Sequence, residues 1–115
     1  VYVALALSRL GQHGLASGRF GFAETYLKRA LDVRLAIHQP DDWHIDDARG
    51  LLGVARMRGG RYGDAEADLL SSYRGLCAHR GVSAPETLVA RHRLYELYTG
   101  WNRADEARLY RDAAR

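Results

Sequence analysis

Lysine is nearly missing from this chain, and cysteine, methionine and proline are scarce: one Lys, one Cys, one Met and two Pro in 115 residues. A lone Cys77 has no internal partner, which excludes a disulfide framework and fits a reducing, cytoplasmic compartment. No stretch approaches the roughly 18 uninterrupted apolar residues that a membrane span needs. No charged segment followed by an apolar run and a small-residue cleavage site marks a secretory signal. The chain also lacks a charge run. Sixteen Arg and one Lys face fourteen acids for a net charge of +3, and the cations are scattered along the sequence. A surface that tracks phosphates gathers its cations on one face, so this distribution disfavours a nucleic-acid partner. Val stands at position 1 and the first ten residues already read as mid-helix, the expectation for a piece of a longer protein.

What is present is a repeat. Gly18-Arg19-Phe20-Gly21-Phe22-Ala23-Glu24 returns as Gly60-Arg61-Tyr62-Gly63-Asp64-Ala65-Glu66, 42 residues later. The same offset carries Leu10-Gly11 onto Leu52-Gly53, Leu27 onto Leu69, Ala6 onto Ala48 and Ala36 onto Ala78. A more eroded third copy keeps the register. Ala90, Arg91 and Leu94 follow Ala48, Arg49 and Leu52, while Asn102-Arg103 follows Gly60-Arg61.

Apolar and small residues recur three and four apart on both sides of each Gly-Arg-aromatic step, so each unit reads as two helices around a turn. The spacing predicts helices over about 1–17, 20–38, 43–58, 62–80, 85–100 and 103–114, with no strand. Ala23, Leu27, Ala30, Leu31 and Leu35 form the inward stripe of the second helix; Ala65, Leu69, Ser72, Tyr73 and Cys77 form that of the fourth. Gly18, Gly60 and Asn102 stand where a helix ends in the left-handed conformation. Pro40, Asp41 and Asp42, then Ser83, Pro85 and Glu86, mark the starts of the helices that follow.

The combination of Leu10-Gly11, Ala23, Leu27 and Ala30, repeated as Leu52-Gly53, Ala65, Leu69 and Ser72, resembles the tetratricopeptide signature. The third unit keeps Leu94, Tyr98 and Ala107 but has Tyr95 in place of the glycine. The 42-residue period is similar to that of the kinesin-light-chain type. Pro40-Asp41-Asp42-Trp43, Asp47-Ala48-Arg49-Gly50-Leu51-Leu52-Gly53 and Arg93-Leu94-Tyr95-Glu96-Leu97-Tyr98-Thr99-Gly100-Trp101 also look like the repeat arrays at the C-termini of some bacterial serine/threonine protein kinases. A kinase's own Gly-rich loop, lysine strand and His-Arg-Asp element are absent from these residues. HEAT and armadillo repeats share the period range but not the Leu-Gly and Gly-Arg-aromatic landmarks.

The resemblance implies an all-α, right-handed α-solenoid of six helices in one domain, with repeats at about 1–42, 43–84 and 85–115. It further implies a scaffold that holds a protein or peptide in a concave groove lined by the first helix of each pair. Projected onto this sequence, the groove positions include Ser8, Gln12, Asp47, Val54, Arg58, His92 and Glu96. Other readings are a regulatory or oligomerisation segment of a kinase and a nucleic-acid-binding helical repeat. The N-terminal helix lacks a polar cap and is expected to self-associate or to pack on a preceding repeat.

Catalysis, metal and cofactors are not expected. His13, His38, His44, His79 and His92 lack the spacing of a helical zinc site. His79 aligns with Ile37 and Cys77 with Leu35, which suggests packing roles for both. Asp41, Asp42, Asp46 and Asp47 cluster where carboxylates complement a helix start. Neither Gly59-Gly60 nor the Gly11 to Gly21 stretch has the strand and the Gly-Lys-Ser/Thr ending of a phosphate loop.

Overall fold

Three interruptions of one kind divide the chain. Gly18, Gly60 and Asn102 have φ of +76°, +85° and +59°, the left-handed region that closes a helix, and a new helix begins two residues beyond each. The computed structural model describes residues 2–37 and 42–111. Among them are six helices and no strand: α1 (Tyr2–Ala16), α2 (Phe20–Ala36), α3 (Trp43–Arg58), α4 (Tyr62–Arg80), α5 (Pro85–Gly100) and α6 (Ala104–Leu109). Gly81, with φ of +89°, ends α4 and was not among the turn residues expected from sequence.

Two starts follow different rules. Asp42 caps α3, accepting from the backbone N–H of His44 at 2.9 Å, as its position before the helix suggested. Ser83 does not cap α5; Ala84 occupies that place without a side-chain bond, and Pro85 supplies the preset φ of the first turn. Pro40 and Asp41 lie outside the described residues.

Consecutive helices pack against each other and run antiparallel. Gly11 opposes Leu27 and Gly14 opposes Ala23 across α1 and α2; Gly50 opposes Ser72 and Gly53 opposes Leu69 across α3 and α4. A Cβ on Gly53 would come within 2.8 Å of Leu69 Cγ, and one on Gly14 within 3.2 Å of the Ala23 backbone. The glycines therefore fix how near the paired helices lie. α5 closes on α4 through Thr87 Oγ1 donating to the Leu76 carbonyl at 3.3 Å and Tyr98 Oη donating to Glu66 at 2.7 Å.

The core is continuous through α3. One cluster joins Ala23, Leu27 and Leu31 to Ile45, Ala48 and Leu52, and a second joins Val54, Met57, Leu69, Leu94, Leu97 and Tyr98. Two expected stripe residues are not in it. Leu35, near the end of α2, is 42% exposed, and Val3, near the start of α1, is 61% exposed. Cys77 is half-buried, and Leu76, seven residues after Leu69, takes the inward place instead.

The last helix is shorter than its periodicity suggested. It stops at Leu109, not 114, because Arg111 stands where Leu27 and Leu69 anchor the earlier copies. Arg91 holds the Arg111 carbonyl at 2.8 Å. Residues from 112 onward lie outside the described residues.

Polar contacts tie the helices within and across units. Arg56 reaches Asp68 at 2.6 Å and Glu24 at 3.5 Å, while Arg61 grips both Glu24 oxygens at 2.7 and 2.8 Å. Glu24 thus joins the start of α2 to the end of α3 and the turn beyond it. Burial pushes the Asp68 carboxyl up despite the bond from Arg56.

Gly53→Val should lower stability by about 1–3 kcal/mol through overpacking against Leu69, read from the urea midpoint. Asp42→Ala should cost about 0.5–2 kcal/mol at neutral pH. Burial raises the Asp42 pKa, but bonds from the His44 backbone and ring outweigh it and leave the carboxyl below its ordinary 3.8. Its contribution is therefore present above that value and lost as pH falls through the lowered one, where variant and parent melting curves should converge.

Candidate binding groove

The odd-numbered helices α1, α3 and α5 also touch each other, α1 with α3 and α3 with α5. Between α1 and α3 lies a concavity of about 190 Å³. Ser8 and Gln12 enter it from α1 and Asp47 from α3, beside Arg9, Arg34 and His44. Three of the seven residues projected from sequence are therefore neighbours across two helices. His92 and Glu96 meet elsewhere, one turn apart on α5, at the edge of a concavity of about 380 Å³ that also contains Arg93 and Tyr110. Their side chains are 3.8 Å apart.

Two projected residues behave differently. Val54 is only 6% exposed and packs with Leu94 and Leu97, so it belongs to the core and cannot present itself to a partner. The reason is the central place of α3, which has neighbours in α2, α4 and α5 and retains little free surface. Arg58, the last residue of α3, is exposed.

A residue outside the projection stands out. The Arg93 guanidinium is half-buried between α3 and α5, with Nη1 2.9 Å from the point a Cβ on Gly50 would occupy. Ser72 Oγ lies 2.6 Å from the same point, fully buried and without a hydrogen-bond partner. Burial pulls the Arg93 pKa down; Asp47 and Glu96 oppose that shift from a distance and Arg58 adds to it. No carboxylate among the described residues comes within ion-pair distance of Arg93. Sequence carried a trace of this: Arg9, Leu51 and Arg93 are 42 residues apart, so two of the three copies carry an arginine at one position of the first helix.

The other acid and histidine expectations resolve case by case. Asp46 is more than a helix-start acid: it is buried and pairs with His79 Nδ1 at 2.6 Å across α3 and α4, in space left by Gly75, which has no side chain to collide with the carboxylate. His79 is not packed as its alignment with Ile37 suggested: it is exposed and meets Asp46 through its ring nitrogen. His44 pairs with Asp42 at 2.9 Å on the surface. Among the described residues no group of three His, Cys, Asp or Glu side chains is arranged to hold a metal ion. No helix there is long and apolar enough to cross a membrane.

No family model matches this chain, and no curated protein matches its sequence. The geometry of the groove therefore carries the functional reading.

Arg93→Leu, which introduces the residue type of position 51, should raise stability by about 0.5–2 kcal/mol, because it removes a half-buried charge that no acid among the described residues pairs. A higher urea midpoint with unchanged helicity checks this.

Proposed function

We propose that the chain is a non-catalytic binding module of the tetratricopeptide kind, a three-repeat helical solenoid that holds an acidic peptide segment along α1, α3 and α5. The observation that carries this reading is Arg93, a half-buried cation lining the α5 concavity that no carboxylate among the described residues meets at ion-pair distance. A buried charge lacking a counterion destabilises the free protein, and a carboxylate brought by a ligand offsets that penalty. Arg9 and Arg34 line the concavity between α1 and α3 against Asp47, and Arg91 and Arg93 line the one on α5 against Glu96. The balance of formal charge favours an anionic partner. Ser8 and Gln12 add neutral hydrogen-bonding groups suited to a peptide backbone.

Selection of displayed peptides on the immobilised chain tests the idea. Enrichment of Asp- and Glu-bearing sequences is expected, with affinity falling at least tenfold in an Arg58→Ala/Arg93→Leu variant that retains its helical circular dichroism. Selected peptides indifferent to that variant, or a selection without enrichment, would exclude the groove reading.

A further inference from the structure

Gly50 marks a place where the second helix pair departs from the first. At the same register the first pair has Ser8 on α1 and Ala30 on α2, and the next first helix brings Leu51, which is buried and shares a concavity with Ser8. The second pair has Gly50 on α3 and Ser72 on α4, and the next first helix brings Arg93. An apolar side chain over a residue with a Cβ is thus exchanged for a guanidinium over a residue without one.

The two changes fit each other. A Cβ on Gly50 would stand 2.9 Å from Arg93 Nη1 and 2.6 Å from Ser72 Oγ, closer than either atom can tolerate. The bare backbone of Gly50 and the small side chain of Ser72 therefore form a berth for the end of Arg93. Nothing fastens the guanidinium there. Arg93 makes no side-chain hydrogen bond or ion pair among the described residues, whereas Arg49, Arg56 and Arg91 each do. Ser72 Oγ is the one buried side-chain polar atom without a partner among these residues, so the unpartnered nitrogens of Arg93 keep some contact with solvent. The guanidinium sits at the mouth of the berth. Outside it, Asp47 and Glu96 attract the charge from a distance, and the concavity of about 380 Å³ on α5 gives the side chain room to turn outward into another staggered rotamer.

We infer that Arg93 is a two-position arm of the groove, stowed over Gly50 and against Ser72 in the free chain and swung outward when the carboxylate of a bound peptide arrives, a role that rests on the acidic-peptide reading of the groove. Stowed, the arm covers Ser72 and withholds its charge. Swung out, it offers the planar fork of donors that a carboxylate accepts from arginine. Only molecules with the arm outward are competent to bind, so the apparent affinity is reduced by the fraction that is stowed. Gly50 and Ser72 are then positioning residues, which act on binding through Arg93 without touching the peptide.

End-blocked hexaglutamate, titrated onto the full chain, is the probe. Ser72→Ala removes the hydroxyl and leaves the berth open. Gly50→Ala/Ser72→Ala then fills the berth: the new methyl stands at an ordinary 3.4 Å from Cβ of residue 72, and only the movable end of Arg93 is in its way. Relative to Ser72→Ala, the double variant is expected to bind hexaglutamate about threefold more tightly, and phenylglyoxal should modify its Arg93 about threefold faster, with exposed Arg29 as the internal standard. In the unsubstituted chain, which needs no variant to fold, the amide resonances of Gly50 and of fully buried Ser72 should shift as the peptide saturates the groove. Arg93→Leu should weaken the peptide at least tenfold. If that loss is seen but the double variant binds no tighter, its Arg93 reacts no faster, or the two resonances stay in place at saturation, the arm is overturned and the groove reading stands. If Arg93→Leu binds as the parent does, the groove reading fails and the arm fails with it.

Discussion

Everything in this fold depends on how closely two helices of a pair can approach. At Gly11 and Gly53 the leucine of the facing helix occupies the volume that a side chain would fill, and at Gly14 the facing backbone itself lies near that volume. Close approach puts Leu27 and Leu69 at the centre of their pairs with almost no exposure, and it lets α3 reach α2, α4 and α5 at once. The dispersion gained from such contacts is small per atom and large in sum. The third pair lacks this device, having Tyr95 where the glycine stood. It packs instead through aromatic rings, Tyr98 with Trp101 and Tyr110 and Tyr73 with Tyr110, and its second helix is the shortest of the six.

Polar groups follow the same geometry. Glu24 draws Arg56 and Arg61 into contacts that cross from one unit to the next and Asp68 holds Arg56 within its own, so α2, α3 and α4 are held in register by charge as well as by packing. Asp46 and His79 do this at the other end of α3 and α4. Against these satisfied groups Arg93 is the exception, a cation placed in the groove with its counterions at a distance. Proteins retain such arrangements at binding sites at some expense of stability.

The helices were legible because their boundaries are written locally. A left-handed glycine or asparagine followed by Arg and then an aromatic or Ala needs no distant information, and the bounds of α2 to α5 follow the periodicity to within two residues. The site was legible only in part. Ser8, Gln12 and Asp47 share one candidate concavity as their register suggested, but Val54 did not reach the surface, because exposure along α3 depends on four neighbouring helices rather than on one face. The role of Asp46 depends on the bare backbone of Gly75, 29 residues away, and could not be read from its place in the first turn. Arg93 looked like any other scattered arginine until the absence of a nearby acid was visible in space.

Because each helix leans mainly on its neighbours in sequence, the packing is nearly one-dimensional. In such an arrangement opening does not require the whole core to break; it proceeds inward from an end, one interface at a time. Among the described residues α6 has a single helix as partner and six residues to hold it, whereas α3 touches four helices. Amide protection therefore grades along the chain, greatest at α3 and least at the C-terminal turn. A ligand lying across α1, α3 and α5 would couple those separate openings into one.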